Sequence, residues 1–300
     1  MEQDVIISRK ANTLNSERQY KHVPVLNVST PAKILAGLLL ALLVLLIFLP
    51  FVLAVLYSFL PLGLMPNIRS FSDIADNITL QGYRDVFNQL TFFHIMGNSI
   101  FISMVSTLLQ IVIAFITAYA ITHWDYPGKE YILGFIIVVM IIPTVALILP
   151  NYMTISNLEM VNTFGGVIVP GVANAYGIFL MRQFFIKIPR NLIEACRLDG
   201  AGEIRILWHV YLPTCRSAVT VLFIILLVAN WNDYHWPMLI LHDPDKLTLP
   251  LALVRFRDEA VIEWRSTIAA SLMTMIPVAL MYVFIQKRLI ETFAATISKE

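Results

Sequence analysis

The chain has 300 residues, of which 58% are hydrophobic and 14% charged, with a mean hydropathy of +0.75. A soluble domain carries about 25% charged residues, so this composition excludes one and points to an all-α protein embedded in a membrane. The net charge of +1 carries no footprint for nucleic acid or for an acidic substrate. Cys196 and Cys215 have no metal-ligand or redox spacing and read as free thiols of a reducing compartment.

Residues 1–33 are polar, with Arg9, Lys10, Arg18 and Lys21, and lack the apolar core and cleavage site of a signal peptide. They read as a cytoplasmic tail. Six apolar stretches then follow, each long enough for a helix to cross the hydrocarbon core while satisfying its own backbone. The first, 34–60, contains Pro50, where a kink or an early end is expected. An extracytoplasmic segment, 61–92, includes an amphipathic piece from Leu80 to Phe87 that reads as a surface helix or a plain lead-in to the next span.

The second span, 97–121, carries Asn98, Ser99, Ser103, Gln110 and Thr117 along its length. The third, 131–150, contains Pro143; the fourth, 165–186, contains Pro170 and Gly171; the fifth, 213–241, is long enough to tilt; the sixth, 267–286, contains Pro277. Proline and glycine within spans are tolerated where neighbouring helices satisfy the freed carbonyls, which predicts a packed bundle. Residues 93–288 form one membrane domain and 289–300 a second cytoplasmic tail. With the amino terminus inside, 15 of the 21 Lys and Arg lie on inner segments and 6 on outer loops, four of these in the last outer loop. That bias puts both termini and the loop around Glu194 in the cytoplasm.

The Glu194 loop is the longest polar interruption in the second half. Leu192, Ala195 and Leu198, three apart, give a short helix one apolar stripe, with Pro189 suited to its first turn. Gly200 and Gly202 punctuate a turn, and a second helical piece from Glu203 to Leu212 leads into the fifth span. The geometry is helix, turn, helix on the cytoplasmic face.

Glu194, Ala195 and Cys196, then Gly200 three residues on, then Val210, Tyr211, Leu212 and Pro213 nine residues further, resemble the EAA loop of permeases in binding-protein-dependent ABC importers. Cys196 replaces an alanine of that pattern and Val210 an isoleucine. Asn98-Ser99, Ala118-Tyr119-Ala120, Ile142-Pro143, Arg182 to Phe185, Ile188-Pro189, Asp199-Gly200-Ala201 and Trp231-Asn232 are similar in order to the MalG-like branch of carbohydrate importers. The resemblance implies a six-helix type I importer permease with a MetI-like core. It implies a coupling loop over 189–213, with Glu194, Ala195, Cys196, Asp199, Gly200, Leu212 and Pro213 meeting the ATPase. It also implies four kinds of partner: a second, MalF-like permease, a dimer of ATPase subunits, an extracytoplasmic solute-binding protein and membrane lipid.

The chain has no Walker A pattern, since Gly128-Lys129 continues to Glu130, and no HExxH, CxxC or G-x-S-x-G signature. The expectation is a subunit that is not an enzyme and holds no cofactor or metal, with ATP and Mg on the partner ATPases. Its six histidines are scattered. In the family, a tail resembling G-x-T-x-G-x-x-K reaches between the ATPases; here Thr292 and Thr296 stand at both glycine positions. The loop 242–265 is similar in place to one that probes the binding protein, and a solvated connector fits it as well.

In the fifth span, Asn230, Trp231, Asn232, Asp233, Tyr234, His235 and Trp236 interrupt the apolar run. Polar groups within a span face a bundle interior or a water-filled cavity, whereas Trp and Tyr near an interface also serve as anchors. Asn98, Asn230, Trp231, Asn232 and Tyr234 are the candidates for the translocation path. Glycerol phosphate, a polyol or another small solute is the alternative to a carbohydrate, and an ion-driven secondary transporter the alternative from another class.

Overall fold

A computed structural model describes residues 30–61, 77–89, 91–259 and 264–297. The tail 1–33 lies outside them apart from its last four residues, as does 62–76 of the outer segment. The side chains of Thr292 and Thr296 are likewise outside. The chain divides into two units at Ala54 and Val55.

The first unit is the body of helix α1 (Thr30–Ser58), which runs through Pro50 without an early end. Its large apolar side chains from Ile34 to Val52 are exposed.

The described residues of the second unit form helices joined by turns, with no strand among them. Helix α2 (Gln81–Gln89) precedes α3 (Phe92–His123), which is unbroken. Helix α4 (Lys129–Ile141) is followed by a 3-10 turn (Thr144–Leu147) and α5 (Ile148–Asn157). Helix α6 (Phe164–Ile168) continues into a 3-10 turn (Val169–Gly171), and α7 (Ala175–Phe185) follows. Next come α8 (Arg190–Leu198) and α9 (Glu203–Ile206), a π turn (Leu207–Tyr211), and α10 (Leu212–Thr214). The chain ends with α11 (Arg216–Asn232), α12 (His235–Ile240), α13 (Leu249–Glu259) and α14 (Trp264–Ile297).

Among the described residues, three helices are long and apolar enough to cross a membrane alone, and the number rises to six if each of three bent pairs is one span. The bent pairs fall on the third, fourth and fifth apolar stretches. The third span turns by 100° between α4 and the 3-10 turn. Pro143 follows an Ile142 held in extended conformation, because proline clashes with a helical predecessor. The fourth turns by 44° after the Pro170 turn. The fifth does not run to Leu241. It bends by 80° at Cys215 and stops at Asn232. The Asp233 carboxylate there accepts hydrogen bonds from the amides of His235 (3.1 Å) and Trp236 (3.4 Å), which starts α12 as a new helix.

Two apolar clusters fill the second unit. One gathers Ile95, Ile102, Trp231, Ile240, Leu251 and Ala269; the other gathers Ala118, Met181, Phe185, Ile193, Tyr211 and Leu222. Between them on α3 lies a polar layer. The Asn230 amide donates to Thr107 Oγ1 (2.9 Å) and to Gln110 Oε1 (2.9 Å), and Gln110 Nε2 donates to the Gly171 carbonyl (2.9 Å). The contact of α3 with α7 is close: a Cβ on Gly177 would stand 3.3 Å from that of Ala114. Small residues permit this approach, which is how helices gain contact when lipid offers no hydrophobic driving force.

The amphipathic piece is a real helix, and α2 packs on the start of α14. The Asp85 carboxylate pairs with Arg265 (3.8 Å) and accepts from the Ser266 hydroxyl (3.2 Å). The backbone of Arg265 lies so close that a Cβ at Gly82 would meet its carbonyl at 3.3 Å.

Candidate functional site

Helix α8 ends in a Schellman turn. Asp199 is its C-cap, and Gly200 takes φ +80°, a conformation that costs a residue with a Cβ. The Ala201 amide donates to the Cys196 carbonyl (3.0 Å) and the Gly200 amide to that of Arg197 (2.9 Å), so the last carbonyls of the helix are satisfied. Cys196 and Ala201, which this bond joins, both pack on the cluster around Tyr211. This gives Gly200 and Cys196 a shared physical role: one permits the turn and the other seats it.

The helix has two apolar faces. Ile193 is fully buried, whereas Leu192 and Ala195 are exposed and Leu198 is 89% exposed. The stripe read from the sequence therefore faces outward, and the anchor is Ile193. On the following segment Ile204 and Trp208 are also exposed. The side chains of Glu194 and Asp199 are exposed and make no hydrogen bond or ion pair among the described residues. Leu212 is half-buried against the cluster, and Pro213 lies exposed just before the 80° bend.

The loop is fastened to α3 by Glu203 and Arg197, which the sequence reading gave no such role, together with Tyr119 and Tyr211. Glu203 Oε1 accepts from Arg197 Nε (3.0 Å) and Nη2 (2.7 Å), and its Oε2 accepts from the Tyr119 hydroxyl. Tyr119 is buried and packs edge-on to Tyr211 with ring centroids 4.9 Å apart. Tyr211 in turn packs on Phe185 at 4.7 Å, and Phe185 on Phe115 at 4.9 Å. Phe115, Tyr119 and His123 are four apart, one helix face. That aromatic stripe, ending where α3 leaves the apolar run, was the available signal for this anchor.

At the other end of α3 the residues proposed for a path separate. Trp231 is buried, and with Asn230 and Asp233 it lines a small cavity of about 30 Å³ together with Ser99, Ser106 and Thr248. The Trp231 indole N–H has no partner among the described residues. Asn98 is instead held to the outer loop, donating to the carbonyls of Asp245 (2.8 Å) and Leu247 (3.1 Å). Asn232 is exposed and donates back to the Val228 carbonyl (2.9 Å). Tyr234 stacks on His235 at 3.9 Å and does not line the cavity. Gln110 and Thr107, which complete the Asn230 layer, were not among the proposed residues, although polar side chains within an apolar span mark such a layer.

Residues 110–292 match the family model described as "Binding-protein-dependent transport system inner membrane component". The chain belongs to that family. The match begins at the polar layer of α3 and takes in the clamp, the Schellman turn and the Asn230 to Asp233 break. The sn-glycerol-3-phosphate transport system permease protein UgpE of Brucella abortus (strain 2308) is 31% identical over 204 residues, 67% of this chain and 72% of that one. The arabinooligosaccharides transport system permease protein AraQ of Halalkalibacterium halodurans is 27% identical over 235 residues, 78% of this chain and 84% of that one. In fold, the chain is similar to a chain of a bacterial ABC transporter involved in the import of the acidic polysaccharide alginate. The TM-score is 0.76 and the identity 24%, covering 87% of this chain and 98% of that one. The family is one of inner-membrane components, and in this member each bent pair is, taken together, long and apolar enough for one span.

Proposed function

We propose that the chain is the permease subunit of an ATP-driven, binding-protein-dependent importer of a carbohydrate. It forms half of the translocation pathway beside a second, MalF-like permease and carries no catalytic centre. ATP and Mg are held by a dimer of partner ATPases, and an extracytoplasmic binding protein delivers the solute. Both termini and the 189–213 loop face the cytoplasm, in agreement with the distribution of Lys and Arg.

The observation that carries this reading is the outward face of α8. Leu192, Ala195 and Leu198 are exposed beside the unpaired Glu194, on a turn that Glu203 fastens to α3. Apolar side chains exposed together with a free charge suit a cleft on another protein. ATP-driven closure of the ATPase dimer would carry this helix as a rigid body and turn the cavity between the two sides of the membrane.

We expect Glu194→Lys to abolish uptake in proteoliposomes while insertion and ATP hydrolysis persist. Uptake at the normal rate by this variant would refute the coupling role.

UgpE-like relatives at 31% identity favour glycerol phosphate as a second reading. Against it, the lining around Asn230 offers amides, hydroxyls, Trp231 and the Asp233 carboxylate, with no basic residue for a phosphate. Hydroxyls, amides and an aromatic face suit a neutral sugar. Calorimetry with the partner binding protein separates the two: saccharide binding supports the first, and glycerol phosphate binding alone the second.

A further inference from the structure

A cavity of about 250 Å³ lies at the coupling end of the bundle, between the end of α3, the start of α4, the end of α7 and the start of α8. Thr122, His123, Lys129, Glu130, Arg182 and Arg190 line it. Among the described residues, six buried side-chain nitrogen and oxygen atoms have no hydrogen-bond partner, and three belong to this lining: Thr122 Oγ1, His123 Nε2 and Arg182 Nε. The Tyr211 hydroxyl lies 3.4 Å from His123 Nδ1. With that hydroxyl donating, Nδ1 accepts and the ring proton sits on Nε2. All three unpartnered atoms then present N–H or O–H donors.

The charges agree with this. Asp125, outside the lining, accepts from Lys129 Nζ (3.1 Å) and Arg190 Nη1 (3.5 Å). The Lys129 hydrogen bond, then the charges of Lys129 and Arg190, hold its carboxyl below the usual range, so it stays anionic and occupied. The Arg182 side chain makes no hydrogen bond or ion pair among the described residues. Glu130, the one carboxylate in the lining, is exposed and engages none of these groups. Donors and a free guanidinium, half-buried without an acceptor, are costly to hold unless an anion completes them.

We propose that this cavity binds the phosphate group of an anion, with the Arg182 guanidinium as its main ligand and Thr122 and His123 as further donors. Inorganic phosphate and the headgroup of an acidic phospholipid share this chemistry, and basic pockets at the cytoplasmic ends of spans suit either. The volume holds a phosphate with several waters, each occupying about 30 Å³. Because Arg190 opens the coupling helix, an occupied site braces α8 against α3 and α7. The inference is independent of which solute is carried.

The test uses the full chain, purified with its assembled subunits into phosphatidylcholine nanodiscs. One arm measures binding of radiolabelled inorganic phosphate by equilibrium dialysis. The other measures retention of phosphatidylglycerol, doped into the discs, by native mass spectrometry. Wild type should bind saturably in one arm, which identifies the source. Arg182→Gln should weaken that binding by about tenfold or more, the loss expected for a hydrogen bond to a charged group. Thr122→Val, which keeps its shape and loses one hydroxyl, should weaken it by about fivefold and serves if Arg182→Gln does not assemble. Arg216→Gln, at an exposed arginine outside the cavity, should bind as wild type does. No saturable binding in either arm, or equal binding by wild type and the cavity variants, overturns the proposal.

Discussion

Glu203→Ala probes whether the turn at Gly200, the proposed coupling turn, is held rigidly to the bundle. The carboxylate has two clients. Arg197 and Glu203 are each about 40% exposed, so their pair is screened and contributes ~0.2–1 kcal/mol. The Tyr119 hydroxyl is different, because Tyr119 is only 4% exposed and would be left without an acceptor, at a cost of ~1–3 kcal/mol. Together these give ~1–4 kcal/mol for detaching the turn from α3, or roughly an 8- to 900-fold rise in the detached population. Hydrogen exchange of the amides from Cys196 to Ile206, in the reconstituted permease, reads this population directly. We expect exchange there to accelerate by about that factor, and solute moved per ATP to fall, while amides in the body of α3 keep their protection. Glu203→Gln retains an acceptor for Tyr119 and should fall between wild type and the alanine variant. Unchanged exchange in Glu203→Ala, or equal effects of Gln and Ala, would refute the clamp.

Further outcomes follow from the same geometry. At Gly200 a Cβ would meet no atom within 4 Å, so substitution is penalised only through its φ of +80°. Asn, which tolerates that region, should preserve coupling, and Val should lose ~1–2 kcal/mol of turn stability, read by exchange at the Ala201 amide. Gln110→Leu removes bonds to Asn230 and Gly171 and should cost ~0.6–1.7 kcal/mol, the range for a hydrogen bond between helices in a bilayer; thermal unfolding in detergent measures it. Ser99 accepts the buried Leu249 amide at 2.5 Å, so Ser99→Ala should loosen the 242–249 segment by ~1–3 kcal/mol and speed its proteolysis.

The helices were legible because hydropathy reports length and composition, which alone place α1, α3 and α14. Bends were only half legible. Pro143 breaks its span because nothing continues the ladder past an extended Ile142, whereas Pro50 and Pro277 lie within unbroken helices. Proline type does not decide between these outcomes; the surrounding packing does. In the loop, spacing fixed the turn at Gly200, because backbone angle is a local property. It did not reveal which apolar residue of α8 faces the bundle. Leu192, Ala195 and Leu198 satisfy the period as well as Ile193 with Cys196 does, and only the contacts of Tyr211 and Phe185 select the second set. Glu203 escaped notice because its partners are 6 and 84 positions away, and a long-range pair leaves no periodic trace in one sequence.

The placement of these contacts makes α3 the strut of the permease. Near its start Asn98 and Ser99 hold the segment from Asp245 to Leu249, near its middle Gln110 and Thr107 hold Asn230, and near its end Tyr119 holds Glu203. Asn98 and Tyr119 are 21 positions apart on one unbroken helix, about 32 Å along its axis. The third, fourth and fifth spans each bend, by 100°, 44° and 80°, and a bent pair absorbs a push at its joint. An unbroken helix cannot, because its hydrogen-bond ladder resists shortening. Under the proposed coupling, a displacement delivered at Glu203 would reach the Asn230 layer through α3 by rigid translation, and the polar bonds at that layer would carry it into α11. The position of Asn230 one residue before the buried Trp231, and three before the Asp233 break, sets where such motion can reshape the lining. It would act at the end of α11, where the helix has stopped and the Asp233 carboxylate accepts from the first amides of the next.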